Sequence, residues 1–320
     1  MIWVFFLALI LFLLFLDLGV FHKKDKAVTM KESLLWTLIW ILTAMAFGVV
    51  VYYIFDKNLY GVNYNGIPAG DAMLKYYSGY LIEKSLSLDN IFVIAIIFSY
   101  FQIEAKFQHR ILFWGILGAI LFRGIMIFAG TSFIEHFHWS TYIFGGILIF
   151  SAIRMMVARN DDVDYHQNPL LRLMSRIYPI NWEHRGHNFM IKENGQRFLT
   201  ASFATLVVIE FSDVLFAVDS IPAIFAVTLN PFIVFSSNIF AILGLRSLYF
   251  FLANMMDKFR YMKFSLVFIL VFVGVKMMLV NHYKFPSYVS LVFILTSLAI
   301  GILASMIFGA KDQAKLKKPI

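Results

Sequence analysis

Asp213-Val-Leu-Phe-Ala-Val-Asp219 is an acidic stretch inside apolar sequence, and it repeats the spacing of Glu83-Lys-Ser-Leu-Ser-Leu-Asp89 earlier in the chain. Glu210 lies one helical turn before the later stretch. A carboxylate at the centre of a lipid bilayer costs about 2.5–3.5 kcal/mol, so buried acids of this kind mark a function. Two matching acidic stretches indicate one polar site built from two related halves of the chain.

The composition identifies the class of protein. The chain has 320 residues, of which 61% are hydrophobic and 14% are charged, and its mean hydropathy is +0.78. Soluble domains contain about 25% charged residues. Apolar runs long enough to cross a hydrocarbon core of about 30 Å recur along the whole chain. We therefore predict an all-α polytopic membrane protein embedded in the lipid bilayer.

Charge and cysteine content exclude several functions. The net charge of +8 does not indicate nucleic-acid binding, because the Lys and Arg residues are concentrated in particular loops. The chain contains no cysteine, which excludes disulfides, thiolate metal sites and thiol redox chemistry. It also lacks a G-x-x-x-x-G-K-[ST] phosphate-binding loop, so ATP is not indicated as an energy source. We expect no enzymatic activity and no bound cofactor, and the sequence points to no protein partner.

Nine apolar segments are predicted to span the membrane. They cover approximately residues 2–21, 33–55, 72–101, 109–131, 139–157, 199–228, 231–253, 262–281 and 287–308. The first segment lacks the basic n-region and the cleavage site of a signal peptide, so we interpret it as a retained helix.

The basic residues predict the orientation of these spans. The connection after the first span contains four lysines, and every second connection after it is also basic. The connections between them are poor in Lys and Arg, and Leu229-Asn230-Pro231 has no charge at all. Because basic loops stay in the cytoplasm, we expect the N-terminus outside and the C-terminus in the cytoplasm.

The two acidic stretches belong to a longer internal repeat. Ile149-Phe-Ser-Ala-Ile-Arg-Met-Met156 corresponds to Val271-Phe-Val-Gly-Val-Lys-Met-Met278, although chance similarity between apolar sequences is the alternative. Each copy contains three predicted helices, so the second copy enters the membrane from the opposite side, as in the inverted repeats of secondary transporters. The chain is thus divided into two N-terminal transmembrane helices (1–71), a first three-helix repeat (72–157), a cytoplasmic loop (158–198), a second three-helix repeat (199–281), and a last helix with a basic cytoplasmic tail (282–320).

The cytoplasmic loop contains two local signals. Asn168-Pro169, followed by apolar residues as far as Ile177, predicts a capped helix at the membrane interface. Asn194-Gly195, between two short apolar segments, predicts a hairpin.

Buried acids need a compensating charge. Four or five unpaired carboxylates would together cost about 10–17 kcal/mol, which is comparable with the whole stability of a domain, about 5–15 kcal/mol. They must therefore share protons, bind a cation, or pair with Arg123 and Arg246. A network of ion pairs with those two arginines is the structural alternative to a cation or proton site.

Pro222 predicts a break in the helix that carries the second acidic stretch. Proline lacks an amide donor and clashes with the carbonyl of Val218, so we expect the helix to break between Val218 and Ile221. The break would release backbone carbonyls and turn Asp219 towards Asp213, from which an unbroken helix would point it away. Discontinuous helices bind ions in this way in transporters.

The available ligands narrow the choice of cation. All eight histidines fall in loops or at helix ends, and cysteine is absent, so the site would consist of oxygen ligands. Such ligands suit Mg²⁺, Ca²⁺ or Mn²⁺. Asn90 and Ser220 add oxygen atoms, and Asp17 is either a gate acid or a helix-end charge. The predicted metal ligands are Glu83, Asp89, Glu210, Asp213 and Asp219.

The chain resembles the TerC family, and within it the Alx-type members, over nearly all of residues 10–308. The resemblance is carried by Leu16-Asp17-Leu-Gly-Val-Phe21, by Glu83 to Asn90, by Glu210 to Ala223, and by Ser237-Asn238-Ile-Phe-Ala-Ile-Leu-Gly-Leu-Arg246-Ser247. It implies a protein of the inner (plasma) membrane that is linked to manganese export and, through the family name, to tellurium resistance. The resemblance also implies that the family's acidic residues correspond to the five predicted ligands of this chain. It adds Asn238 to the supporting residues, which are Asn90, Ser220, Asp17, Arg123 and Arg246.

These observations together predict a secondary transporter of divalent cations that exports Mn²⁺ by alternating access. Two alternatives remain open. A proton-coupled exporter of small organic substrates would need deep cationic ligands, of which only Arg123 and Arg246 qualify. A membrane scaffold subunit in tellurium or metal-stress resistance would depend on the cytoplasmic loop rather than on the buried acids.

Overall fold

A computed structural model describes residues 1–19, 30–137, 139–157, 175, 178–182, 188–193, 195–252, 262–279, 283 and 286–316, without the side chains of residues 18, 19, 89, 135, 262 and 308–316. The described chain is helical apart from a small sheet and a 3₁₀ turn at Leu59–Gly61. Its helices are α1 (Ile2–Gly19), α2 (Met30–Asp56), α3 (Ala69–Tyr100), α4 (Ala105–His136), α5 (Ser140–Val157), α6 (Ala201–Phe225), α7 (Pro231–Leu243), α8 (Leu245–Leu252), α9 (Met262–Leu279) and α10 (Ser287–Leu316).

Helices lie at all nine predicted spans, with α7 and α8 together at one of them. Among the described residues, α2, α4, α5, α6 and α10 are each long and apolar enough to cross a membrane, and α7 with α8 makes a sixth if the bent pair is one span. α1 is apolar but shorter, whereas α3 contains five charged residues, which lower its hydropathy. The chain is therefore an all-helical integral membrane protein with five to six candidate spans, and the number nine stays a prediction.

The predicted break at Pro222 is wrong, because α6 runs without interruption from Ala201 to Phe225. Pro222 lies in the last turn of this helix, where its missing amide removes one hydrogen bond and the chain is already close to leaving the helix. The amide of Ala226 donates to the carbonyl of Pro222 at 3.1 Å and closes the turn. Asp219 therefore keeps the direction that a regular helix gives it.

The bent helix pair lies in the next segment of the chain. α7 and α8 are separated by Gly244 and make an angle of 41°. A β-carbon at Gly244 would lie 2.9 Å from Trp40 Cβ and 3.1 Å from Lys84 Nζ. Lys84 Nζ also donates a hydrogen bond to the carbonyl of Ala241 at 3.2 Å. The bend therefore requires glycine for close packing, and the lysine of α3 satisfies one of the last carbonyls of α7.

Helices of the two predicted repeats pack against each other. α3 contacts α6 and α7, α4 contacts α6 and α7, and α5 contacts α9. α5 and α9 approach closely, since a β-carbon at Gly274 would lie 3.1 Å from the carbonyl oxygen of Gly145. Small residues permit such an approach between membrane helices. α3 also contacts α2 and α10, so the first acidic stretch lies in the middle of the bundle.

A three-stranded sheet precedes α6. Its strands are β1 (Ile180–Asn181), β2 (Met190–Glu193) and β3 (Gln196–Thr200), with β3 in the centre, parallel to β1 and antiparallel to β2. Gly195 has a φ of +84° in the turn between β2 and β3, which confirms the predicted hairpin. The predicted interfacial helix after Pro169 lies outside the described residues except for Ser175.

Candidate functional site

Arg123 on α4 is the centre of a buried polar cluster. Its Nη2 and Nε atoms donate to both carboxylate oxygens of Asp213 on α6, at 2.8 and 3.2 Å. Its Nη1 atom donates to Glu83 Oε1 on α3, to Asn238 Oδ1 on α7 at 2.9 Å, and to Ser220 Oγ on α6 at 3.4 Å. One guanidinium group thus joins side chains of three other helices, and we call this set of residues the Arg123 cluster.

The Arg123 cluster is not fully satisfied. The side chains of Arg123 and Glu83 are completely buried, and that of Asp213 is 18% exposed. Two carboxylates contact this one guanidinium group, and the charge of Lys84 on α3 also acts on Glu83. Glu83 Oε2 and Asn238 Nδ2 are buried and have no hydrogen-bond partner among the described residues. Unpaired buried atoms are costly unless another group satisfies them, so the cluster has capacity for a further charged or polar group.

Glu210 lies beside the Arg123 cluster. It precedes Asp213 by one turn of α6, and its carboxylate packs directly on Gly118 of α4, where any side chain would collide with it. Glu210 Oε2 is buried and has no partner among the described residues. The glycine therefore makes the space that this acid occupies.

Asp219 faces a different helix. Its Oδ1 atom accepts a hydrogen bond from Ser151 Oγ on α5 at 2.6 Å, and the charge of Arg154, one turn further along α5, also acts on it. On a regular helix Asp219 is rotated by about 120° from Asp213. This separation follows from the unbroken course of α6.

The four predicted ligands whose side chains the structure describes are not gathered in one place. Glu83 and Asp213 meet at Arg123, which corresponds to the ion-pair alternative for these two acids, while Glu210 and Asp219 make other contacts. Among the described side chains, no three acidic or histidine residues lie close enough together to hold a metal ion. The side chain of Asp89 lies outside the described residues, so its place in a shared site stays a prediction.

The supporting residues are divided between two clusters. Ser220 and Asn238 contact Arg123, whereas Arg246 on α8 forms an ion pair with Asp17 on α1 at 2.8 Å. Arg246 also donates to the carbonyl oxygen of Asp17 at 2.9 Å. Both partners are buried, so this pair connects the end of α1 to the bent α7–α8 segment. Asn90 is buried on α3.

Sequence reasoning missed three polar residues of the bundle. It identified only the two arginines as deep bases, although Lys84 contacts the carbonyl of Ala241 and Lys276 Nζ donates to Ser290 Oγ at 2.8 Å. Both lysines lie in apolar helical sequence, so their charge could have identified them as buried polar residues. Ser151 was missed because a serine on an apolar helix gives no indication of its partner.

A separate cavity lies at the end of the bundle where α6 joins α7. Its volume is about 310 Å³, and the described residues that line it include Lys75, Thr141 and Asn230 but no acidic residue. In the predicted orientation this end faces outside. Among the described residues that line the cavity, none belongs to the Arg123 cluster.

Comparisons with known proteins place these features in a family. The profile of the integral membrane protein TerC family matches residues 69–313. An uncharacterized membrane protein of Myxococcus xanthus is 47% identical over 305 residues, which are 95% of this chain and 92% of the relative. An uncharacterized membrane protein of Rickettsia felis is 42% identical over 305 residues, or 95% of this chain and 97% of the relative.

A third relative, from Escherichia coli K12, is 41% identical over 293 residues, or 91% of this chain and 89% of the relative. It bears the name Alx and the provisional description of a membrane-bound redox modulator. No solved structure matches the chain significantly.

Proposed function

The chain belongs to the TerC family of integral membrane proteins, and from this premise we propose that it is a secondary transporter of divalent cations that exports Mn²⁺. The acids proposed to handle the ion are Glu83, Asp89, Glu210, Asp213 and Asp219. The link to manganese comes from the family resemblance, and the oxygen-only chemistry of the deep side chains is compatible with it.

One observation carries this proposal. Glu83, Asp213, Asn238 and Ser220, from three helices, direct oxygen atoms at one buried point, which Arg123 contacts. Carboxylate, amide and hydroxyl oxygens are the ligands that a hard divalent cation prefers. If these buried polar side chains had no function, apolar residues in their place would stabilise the fold at least as well, because buried ion pairs rarely add net stability.

Alternating access is supported by how the helices pack. We propose that nine segments cross the membrane and that 72–157 and 199–281 are inverted repeats. A twofold axis in the membrane plane would relate the α3–α7 contact to the α4–α6 contact and would place α5 against α9. All three contacts are present. Rocking of one repeat against the other would then expose a site between them to each side in turn.

The orientation and location are part of the same proposal. We propose that the protein lies in the inner membrane with its N-terminus outside, since basic residues favour the cytoplasmic side. The described hairpin of β2 and β3, with the rest of the loop 158–198, would then face the cytoplasm. Export of a cation would begin on that side.

The redox description of the Alx relatives fits this proposal only indirectly. This chain contains no cysteine, so thiol exchange is not open to its own residues. On the proposed function, this chain would influence redox state through the concentration of the metal that it moves.

Transport by the full-length chain in lipid vesicles tests the proposal. We expect Mn²⁺ to cross the membrane of vesicles that contain the wild-type chain, with slower passage of other divalent ions, and we expect Asp213→Asn to abolish this passage. Asp56→Asn is the matched control, because Asp56 forms an exposed ion pair with Lys57. If no divalent cation passes faster than through empty vesicles, the proposed function is wrong.

The ion pairs of Arg123 favour one other function, a membrane scaffold. Closed ion pairs can hold helices together without any ligand, and the chain would then act through partners of its cytoplasmic loop. In that case Asp213→Asn would lower the thermal stability of the protein, and neither wild type nor variant would transport an ion.

A further inference from the structure

We propose that Arg123 and the transported cation compete for the same oxygen atoms, so that the cation binds only after the guanidinium group has left them. This inference rests on the proposed function and adds a regulatory step to it. Arg123 would act as a tethered cation that keeps the buried carboxylates neutralised between transport events.

The first observation that supports this competition is the set of hydrogen bonds that Arg123 makes. Among the described residues, its nitrogen atoms donate to oxygen atoms of Glu83, Asp213, Asn238 and Ser220. These are the same oxygen types that bind a hard divalent cation. A guanidinium group already placed among them takes up the positions that the cation would need.

Charge repulsion opposes the binding of both positive groups at once. Arg123 is completely buried, and arginine keeps its charge in proteins. Glu83 and Asp213 together neutralise one divalent cation. A cation bound to the same two carboxylates would lie within a few ångströms of the positive guanidinium group, and the repulsion between the two charges is unfavourable in a buried place.

The fit of Arg123 to the site is incomplete, which favours exchange over a permanent ion pair. Glu83 Oε2 and Asn238 Nδ2 are buried and unpartnered among the described residues. Asp213 is partly exposed, so the cluster is not enclosed by protein on all sides.

The position of Arg123 links its competition with the cation to movement of the helices. Arg123 belongs to α4, and its partners belong to α3, α6 and α7, so its ion pairs join both proposed repeats. Their loss would loosen the contact between α4 and α6. Cation binding would thus release one conformation of the bundle, and return of the guanidinium would expel the ion.

Equilibrium binding of Mn²⁺ to the purified full-length chain tests the competition. A competitor lowers apparent affinity by the fraction of molecules that it blocks, so we expect Arg123→Gln to bind Mn²⁺ about tenfold more tightly than wild type or better. The same variant should transport Mn²⁺ more slowly in vesicles, because nothing displaces the bound ion. Arg110→Gln is the matched control, since Arg110 is an exposed arginine of the same helix.

A second comparison guards against misfolding of Arg123→Gln. If this variant is monodisperse only when Mn²⁺ is present, the ion replaces the guanidinium, as competition requires. Should it aggregate under both conditions, Arg123→Lys is measured instead. A lysine cannot span both carboxylates as arginine does, so Arg123→Lys should bind Mn²⁺ with an affinity above that of wild type.

The outcomes separate this inference from the proposed function. If wild type transports Mn²⁺ but the folded Arg123 variants bind it no more tightly than wild type, Arg123 is a structural ion pair and the competition is overturned. If wild type neither binds nor transports any divalent cation, the proposed function fails, and the competition fails with it.

Discussion

Ser151 on α5 donates a hydrogen bond of 2.6 Å to Asp219 on α6, on a different face of this helix from Asp213, which pairs with Arg123. α6 therefore presents acids to two neighbours, α4 on one side and α5 on another. A cation that used all of these acids would have to meet them in sequence or after a rearrangement of the helices. The two faces of α6 can be tested separately.

We expect Asp219→Asn to abolish Mn²⁺ export and to leave membrane insertion intact, because the change keeps the shape of the side chain and removes one charge. Asp89→Asn should do the same. Asp161→Asn, in the cytoplasmic loop, should have little effect. Efflux from cells or vesicles measures all three variants, and normal export by Asp219→Asn would rule out a role for this acid.

Ser151→Ala should weaken export less than Asp219→Asn does. It removes a donor from Asp219 but leaves the charge, and this partly buried acceptor should lose only a part of the roughly 1–3 kcal/mol that a fully buried one loses without its partner. We therefore expect a lower melting temperature together with reduced export. Ser151→Thr keeps a hydroxyl and should recover part of both properties; failure of threonine to recover either would mean that the hydrogen bond is not the cause.

Gly118→Ala should displace the carboxylate of Glu210, which lies where the new methyl group would be. Overpacking of this kind costs about 1–3 kcal/mol. Gly115→Ala is the matched control on the same helix, since its β-carbon would meet Ile209 at 3.6 Å, an ordinary contact. Thermal unfolding in detergent should separate the two variants, and equal stability would show that Glu210 moves aside easily.

Gly145→Ala should disturb the close packing of α5 on α9. Its β-carbon would lie 2.7 Å from Met278 Cγ and 2.9 Å from the carbonyl oxygen of Gly274. Gly146→Ala, one residue later, would meet only Met278 Cε at 3.9 Å. We expect a loss of about 1–3 kcal/mol at position 145 and almost none at position 146. Similar melting temperatures for both variants would contradict the described α5–α9 contact.

Single cysteines can map the orientation, because the chain has none of its own. Asn65 and Glu104 are both exposed, in the connections after α2 and α3. We expect an impermeant thiol reagent to label Asn65→Cys in intact cells and Glu104→Cys only after the membrane is opened. The reverse pattern would mean that the N-terminus is cytoplasmic, and labelling of both sites in intact cells would contradict the proposed span between them.

Much of the local structure was predictable from the sequence. The apolar segments predicted helices at all nine places where they occur, and Asn194-Gly195 predicted the hairpin of β2 and β3. Regular geometry alone also indicated that Asp219 points away from Asp213 when α6 is unbroken. These features depend on interactions between residues that are only a few positions apart, so they can be predicted from the local sequence.

The bend at Gly244 and the failure of Pro222 to break α6 were not predictable in the same way. Proline disrupts a helix interior but is tolerated close to an end, and the end of α6 is set by its packing and by the loop that follows. At Gly244 the chain packs against Trp40 and Lys84, which are far away in sequence.

The sequence by itself determined that this is a membrane protein with acids inside apolar helical segments, because hydropathy and charge are properties of single segments. Only the tertiary structure decided which acid meets which base. Arg123 pairs with Glu83 and Asp213, whereas Arg246 pairs with Asp17, and nothing in the local sequence distinguishes the two arginines. The choice follows from which helices pack against α4 and α8, since a buried guanidinium group can pair only with the carboxylates that packing brings within about 3 Å.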